Sequence, residues 1–236
     1  MTPQPSSGPW RVATVVKRRA ETSHAATFRL RLDAPLGQRA GQHVVLRLTA
    51  PDGYTAQRSY SVASAPEDGD EFELTVERLE GGEVSMFLHD VVEPGDELDV
   101  RGPIGGWFVW EGTTPALLLG GGSGVVPLMA MLRHARRTGS ADLLRLVVSA
   151  RSPDVLYYAA ELPGPQTTVV FTRSVPPGHD RAPGRLVMED VPMPLADDVT
   201  AYVCGSAGFA EAASTVLLDA GVPAERVRVE RFGPTG

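Results

Sequence analysis

Eighteen consecutive residues without a charged side chain, Pro115 to Leu132, constrain this chain more than any other feature. The run is long enough for a membrane span, but Gly120, Gly121, Gly122, Gly124 and Pro127 fall in its middle and break any continuous helix. It reads instead as a buried strand (Ala116–Leu119), a glycine turn and a helix (Val126–Arg137). The rhythm then repeats: Leu144–Ser149, Thr168–Phe171, Thr200–Cys204 and Arg226–Arg231 read as buried strands. Helices are expected over Asp154–Leu162, Leu186–Val191 and Ala207–Ala220. Such alternation implies a parallel sheet covered on both faces, which binds ligands at the carboxyl ends of its strands.

Residues before 113 follow a different period. Phe28, Leu30 and Leu32 alternate with Arg29 and Arg31; Val44, Leu46 and Leu48 flank Arg47; Phe72, Leu74 and Val76 alternate with acidic neighbours. Closely spaced turns at Pro35-Leu36-Gly37, Pro51-Asp52-Gly53, Asp68-Gly69-Asp70 and Pro94-Gly95-Asp96 separate these strands, as in a small antiparallel barrel. Val84–Val91 is the one helical stretch. The chain thus divides into a tail (1–8), a barrel (9–112) and an α/β unit (113–236).

Charge divides unevenly. Residues 1–60 hold nine basic and three acidic side chains, residues 61–112 two and fourteen, and residues 113–236 eleven and twelve. A net charge of −7 argues against a nucleic-acid partner. Arg11, Lys17, Arg18 and Arg19 can still dock an acidic protein, or line a solvated edge. The single cysteine, Cys204, excludes a disulfide, a cysteine-based zinc site or a four-cysteine iron–sulfur cluster within these residues, and fits a reducing, cytoplasmic setting. The five histidines show no metal spacing, and Met1–Pro9 lacks the pattern of a signal peptide.

Three motifs carry chemistry. In Gly120-Gly121-Gly122-Ser123-Gly124-Val125-Val126-Pro127 the backbone can approach a phosphate at a helix N-terminus, although a tight strand-to-helix turn also accounts for the glycines. Arg58-Ser59-Tyr60-Ser61 offers a cation, a ring and a hydroxyl along one strand. Gly81-Gly82-Glu83-Val84-Ser85 opens a short helix and is a second phosphate seat or a simple cap.

Taken in order, Arg58-x-Tyr60-Ser61, Gly82-x-Val84-Ser85, Gly102-Pro103-Ile104-Gly105 with Phe108, Gly120 to Pro127, Cys204-Gly205-Ser206 and Glu230-Arg231-Phe232 resemble the ferredoxin–NADP reductase family over nearly the whole chain. The resemblance implies an antiparallel Greek-key barrel that binds FAD, followed by a parallel α/β domain that binds a nicotinamide dinucleotide. It implies that Tyr60 lies against one flavin face and Ser61 faces N5, while Arg58 and the backbone of Gly82, Val84 and Ser85 hold the FAD pyrophosphate. Gly121, Gly122, Ser123 and Gly124, with Pro127 behind them, would hold the dinucleotide. Cys204 and Gly205 would sit beside the nicotinamide. Ser61, Cys204 and Glu230 would surround hydride transfer, and Phe232 would cover the other flavin face.

The second strand ends Ser149-Ala150-Arg151-Ser152, with no carboxylate to bind an adenosine ribose. Arg151, Arg173 and Arg185 resemble the arginines that bacterial members present to NADP, so NADPH is expected over NADH; solvated surface arginines are the alternative. The implied activity is hydride transfer from NADPH to FAD and electron transfer to a separate ferredoxin or to an oxygenase or haem component. A free-flavin or ferric-chelate reductase and a non-catalytic flavin-binding regulatory subunit remain as rivals, and the residues do not separate FAD from FMN.

Overall fold

The alternating residues of the first half build six strands: β1 (Arg11–Ala20), β2 (Ala25–Arg31), β3 (His43–Thr49), β4 (Thr55–Ser61), β5 (Glu71–Glu77) and β6 (Glu97–Ile104). The computed structural model describes residues 8–232 of the chain; residues 1–7 of the expected tail lie outside the described residues. The strands pair antiparallel in the order β4-β3-β6-β1-β2-β5, with β6 returning between β3 and β1. A bridge from Val62, just past β4, to Leu74 of β5 joins the two ends of that order and closes the barrel. Phe28, Leu30, Val44, Leu46, Phe72, Leu74 and Val76 fill its core, and α1 (Glu83–Asp90) adds Val84 and Leu88.

The second half forms a parallel sheet of β7 (Ala116–Gly121), β8 (Leu144–Ala150), β9 (Thr167–Phe171), β10 (Thr200–Gly205) and β11 (Val227–Arg231), in the order β11-β10-β7-β8-β9. Leu118, Leu146, Val148 and Tyr202 face α2 (Val125–Thr138), whereas Leu117, Leu119, Val147 and Val203 face α3 (Ala207–Asp219). Burial on both faces explains the near-continuous apolar strands. The strand order reverses between β7 and β10, which opens a crevice at their carboxyl ends.

Two expected helices are absent. Over 154–162 there is only a 3-10 turn, Pro153–Val155, followed by irregular chain. Leu156, Tyr157 and Tyr158 are all buried in succession, which one helix stripe cannot achieve. Tyr158 takes a left-handed φ of 56° and donates its hydroxyl to Thr75 Oγ1 across the seam at 2.6 Å. Over 186–191 a 3-10 turn, Met188–Asp190, is all that forms between Pro183 and Pro192. So short a segment gains too few backbone bonds to nucleate an α-helix.

The two halves share an apolar core in which Ala25, Ala40 and Ala63 of the barrel meet α2, Phe108 and Trp110. Behind it, at the carboxyl-terminal half of α2, the contact is ionic. Arg133 donates to Glu73 Oε2 (2.9 Å), to the Ala63 carbonyl (2.9 Å) and to both oxygens of Glu161 (2.6 and 2.9 Å). Arg19 pairs with Glu21 at 2.8 Å, and Glu21 in turn accepts from the Tyr158 N–H.

Candidate active site

At the other end of α2, the glycine turn sits where the sheet order reverses. Gly122–Gly124 form one 3-10 turn between β7 and α2, and β5 of the barrel runs alongside it. Register sets Cys204 of β10 between Gly120 of β7 and Glu230 of β11. A Cβ on Gly124 would collide with the Cys204 carbonyl, and one on Gly121 would lie 2.5 Å from the Phe209 ring. Packing therefore demands these two glycines whether or not a ligand binds. Gly122 differs: it takes φ +56° and its missing Cβ would point into open space, leaving the backbone there approachable. Pro127 is buried in the first turn of α2, a position that needs no N–H donor.

Phe209 links both loops, because a Cβ on Gly205 would also meet its ring, at 2.7 Å. Ser206 caps α3 by accepting from the Phe209 N–H at 3.3 Å, which orients that ring over the two glycines. Cys204 is fully buried, and burial followed by the nearby Glu230 charge pushes its thiol well up, so it stays protonated and is no nucleophile at neutral pH. Burial also lifts the Glu230 carboxyl to about 7. Phe232 donates its N–H to the Gly205 carbonyl at 2.9 Å and packs against the core that contains Cys204.

The barrel contributes the end of β4. Tyr60 leans on the barrel core, and burial raises its hydroxyl to about 12 despite the nearby Arg58. Ser61 lies opposite His43 of β3, and His43 lies opposite Ile104 of β6. Burial lowers the His43 pKa, so this imidazole is neutral beside Ser61 at neutral pH. Arg58 is exposed and donates to the Gln57 carbonyl at 2.7 Å; among the described residues no carboxylate pairs with it. Gly82 caps α1 without a side-chain bond. The Ser85 hydroxyl accepts from the Leu79 N–H and donates to the Gly82 carbonyl, and Val84 points into the barrel core, so only backbone is free here to meet a ligand.

Arg151, Arg173 and Arg185 gather at the tips of β8 and β9. The N–H groups of Arg173 and Ser174 donate to the Arg151 carbonyl, and Gly184, preceding Arg185, donates to Phe171 at the end of β9. All three arginines are exposed, and none has a carboxylate partner among the described residues. Arg181, nearby, is held by Asp190. The expected residues thus fall into three groups: the β4 edge with the start of α1, the β7–β10–β11 tips, and the arginines beyond.

Sequence reasoning missed Phe209, His43 and Arg133. Two adjacent turns built on glycine do signal a missing filler, and Phe209 supplies it; nothing local marks Arg133, whose role depends on three distant carboxyl and carbonyl groups. The first-segment cations are also less free than expected. Arg11 pairs with Asp33 (2.9 Å) and Arg19 with Glu21, while Arg18 lies over the Phe28 ring.

Residues 12–109 match the oxidoreductase FAD-binding domain family and residues 118–215 the oxidoreductase NAD-binding domain family. The chain is 33% identical to a flavohemoprotein from Deinococcus radiodurans, over 83% of this chain and 51% of that protein. It is 28% identical to the reductase component, ferredoxin–NAD(P)(+), of a naphthalene 1,2-dioxygenase system from Pseudomonas putida, over 94% of this chain and 69% of that protein. Its backbone matches the FAD/NAD-binding domain of a nitric oxide dioxygenase from Vibrio cholerae, with a TM-score of 0.84, 26% identity and coverage of 97% and 100%. The chain spans about half the length of the flavohemoprotein it matches.

Proposed function

Because the chain belongs to the ferredoxin–NADP reductase-like family of FAD- and nicotinamide-binding oxidoreductases, we propose that it is an FAD-dependent reductase. In this reading it takes hydride from NADPH and delivers electrons to a separate ferredoxin or oxygenase component. One observation carries it: the groups at the front of the seam lack protein partners among the described residues. Arg58 has no carboxylate, the first turn of α1 has no side-chain cap, and neither the Ser61 hydroxyl nor the Glu230 carboxyl has a hydrogen bond. Buried Ser61 and half-buried Glu230 call for an external partner, and exposed Arg58 beside them is free to pair with an anion. A pyrophosphate answers Arg58 and the α1 N–H groups, and a planar polar ring answers Tyr60 and Ser61, so the site fits FAD.

Bound FAD supplies a hydride acceptor and an outlet for electrons, chemistry that no side chain here provides. The protein's part is orientation. Tyr60, a neutral phenol, would stack on the flavin, Ser61 would donate to a ring heteroatom, and Phe232 would cover the other side, with Cys204 as an inert filler behind the nicotinamide. Gly121, Gly122, Ser123 and Gly124 at the start of α2 hold the dinucleotide pyrophosphate, with Gly205 and Pro127 shaping the loops. Glu230, poised near neutrality, completes the polar wall as a hydrogen-bonding group. Residues 9–112 form the FAD unit and 113–236 the nicotinamide unit.

Arg151, Arg173 and Arg185 favour NADPH, because three cations without carboxylate partners suit a 2′-phosphate. The cytoplasm, expected from the single cysteine, is the setting in which NADPH would be the donor. Anaerobic titration of the purified protein tests the reading. Yellow protein should lose its visible flavin band with NADPH at lower concentration than with NADH. Equal or better specificity constants for NADH contradict the choice of donor. Colourless protein with two-substrate flavin kinetics would make it a free-flavin reductase, and bound flavin that never bleaches would make it a regulatory subunit.

A further inference from the structure

Trp107 is 63% exposed, more than any other tryptophan, phenylalanine or tyrosine exposed among the described residues, and yet it is firmly held. The Nη1 amino group of Arg228 of β11 donates to the Trp107 carbonyl (3.0 Å), the Val109 carbonyl (3.0 Å) and the Tyr202 hydroxyl (3.3 Å). Its guanidinium also lies 5.2 Å from the Trp107 ring and 5.3 Å from that of Tyr202. One face of the indole is thereby stacked on a fixed cation while the ring remains largely open to solvent. Exposed aromatic rings with little freedom left to lose are the residues that anchor protein interfaces.

We propose that the Trp107–Arg228 pair is the docking platform for an acidic electron-accepting protein, an inference that rests on the reductase reading above. Its location supports this. Trp107 lies three residues beyond Ile104, whose register partner His43 stands opposite Ser61. Glu230 follows Arg228 by two residues on the same face of β11, about 7 Å along the strand. The platform is therefore continuous with the rim of the site. Its charge supports an acidic partner: Arg228 has no carboxylate partner among the described residues, and exposed Arg39 reaches the same loop beside Gly106. Arg39 is the one of the two with an ion pair, to exposed Glu111 at 3.0 Å. The first-segment cations offer less, since Arg11 and Arg19 are already paired with carboxylates.

The test uses the FAD-loaded protein with NADPH and two acceptors, an acidic plant-type [2Fe–2S] ferredoxin and ferricyanide. Trp107→Ala should raise the KM for ferredoxin about tenfold, the usual loss when an interface anchor is truncated. Trp107→Phe should recover most of it, and Arg39→Glu should raise the KM and flatten its salt dependence. Lys17→Glu with Arg18→Glu should leave it unchanged. Ferricyanide turnover and the KM for NADPH should stay at wild-type values throughout. Wild-type ferredoxin kinetics in Trp107→Ala and Arg39→Glu would overturn the proposal, as would a wild-type protein that reduces ferricyanide but shows no saturable ferredoxin reduction. A wild-type protein that reduces neither acceptor would instead defeat the reductase reading.

Discussion

The seam between the barrel and the α/β unit has two ends with opposite chemistry. At the back, Arg133, Glu73, Tyr158 and Thr75 find hydrogen-bond partners across the interface, and Glu161 an ion pair with Arg19. At the front, Arg58, Ser61 and Glu230 find none among the described residues. Both ends bring polar groups to a domain boundary, yet only the back is complete within the chain. Ionic pairing at the back fixes the relative position of the halves; the incomplete front is where a ligand has something to satisfy. α2 spans both, with its glycine-rich start at the front and Arg133 at the back.

The back should show the largest effect on stability. Arg133→Ala leaves the Ala63 carbonyl without its donor and takes one of two cations from both Glu73, which keeps Arg29, and Glu161, which keeps Arg19, and should cost about 2–3 kcal/mol, read as a lower urea midpoint. A loss well below that would mean that the apolar core alone holds the halves.

At the front, Gly121→Ala places a Cβ against the Phe209 ring and should displace the dinucleotide loop, lowering kcat/KM for NADPH about 100-fold with FAD content intact. Adding Phe209→Ala should restore part of that loss by removing the clash. Failure of the double variant to improve on the single one would show that the glycine serves the ligand directly rather than the packing.

Glu230 sharpens the contrast through pH. Its folded pKa of about 7 lies above the ordinary carboxyl value, so the native state binds more protons than the unfolded chain between about 4.5 and about 7. The ligand-free protein should therefore lose stability as pH rises through that window and gain none back above it. Glu230→Gln should remove this slope, stabilising the protein by about 1–3 kcal/mol at pH 8 and by little at pH 4. Equal effects at both pH values would mean that the carboxyl is hydrated.

How much of this was legible in the sequence follows from how local each feature is. Period-two alternation around Arg29, Arg47 and Glu73 marked the strands, and the glycines after β7 marked the reversal point, because both depend on neighbours in the chain. The stretch around Tyr158 looked helical by composition, but burial against Thr75 and Glu21 of the barrel imposed a left-handed turn that no local pattern announces. Arg58, Tyr60 and Ser61 were visible as a motif on one strand. Phe209, His43 and Arg133 were not, since each acquires its role from a residue on another strand or in the other half. The block charges show the same limit. The cation excess before residue 60 suggested a free basic surface, whereas folding sets Arg29 and Arg31 against Glu73 and Glu71, and Arg47 against Asp99.

The claim that the front is a flavin site and the back a structural joint can be put to one equilibrium titration of ligand-free protein with FAD. Wild-type chain should bind one FAD per molecule; Arg58→Ala should weaken binding about tenfold to 100-fold, and Arg133→Met, measured where it remains folded, should leave the affinity unchanged. An affinity indifferent to Arg58 but lowered by Arg133→Met, or no FAD binding by the wild-type chain, would contradict the account.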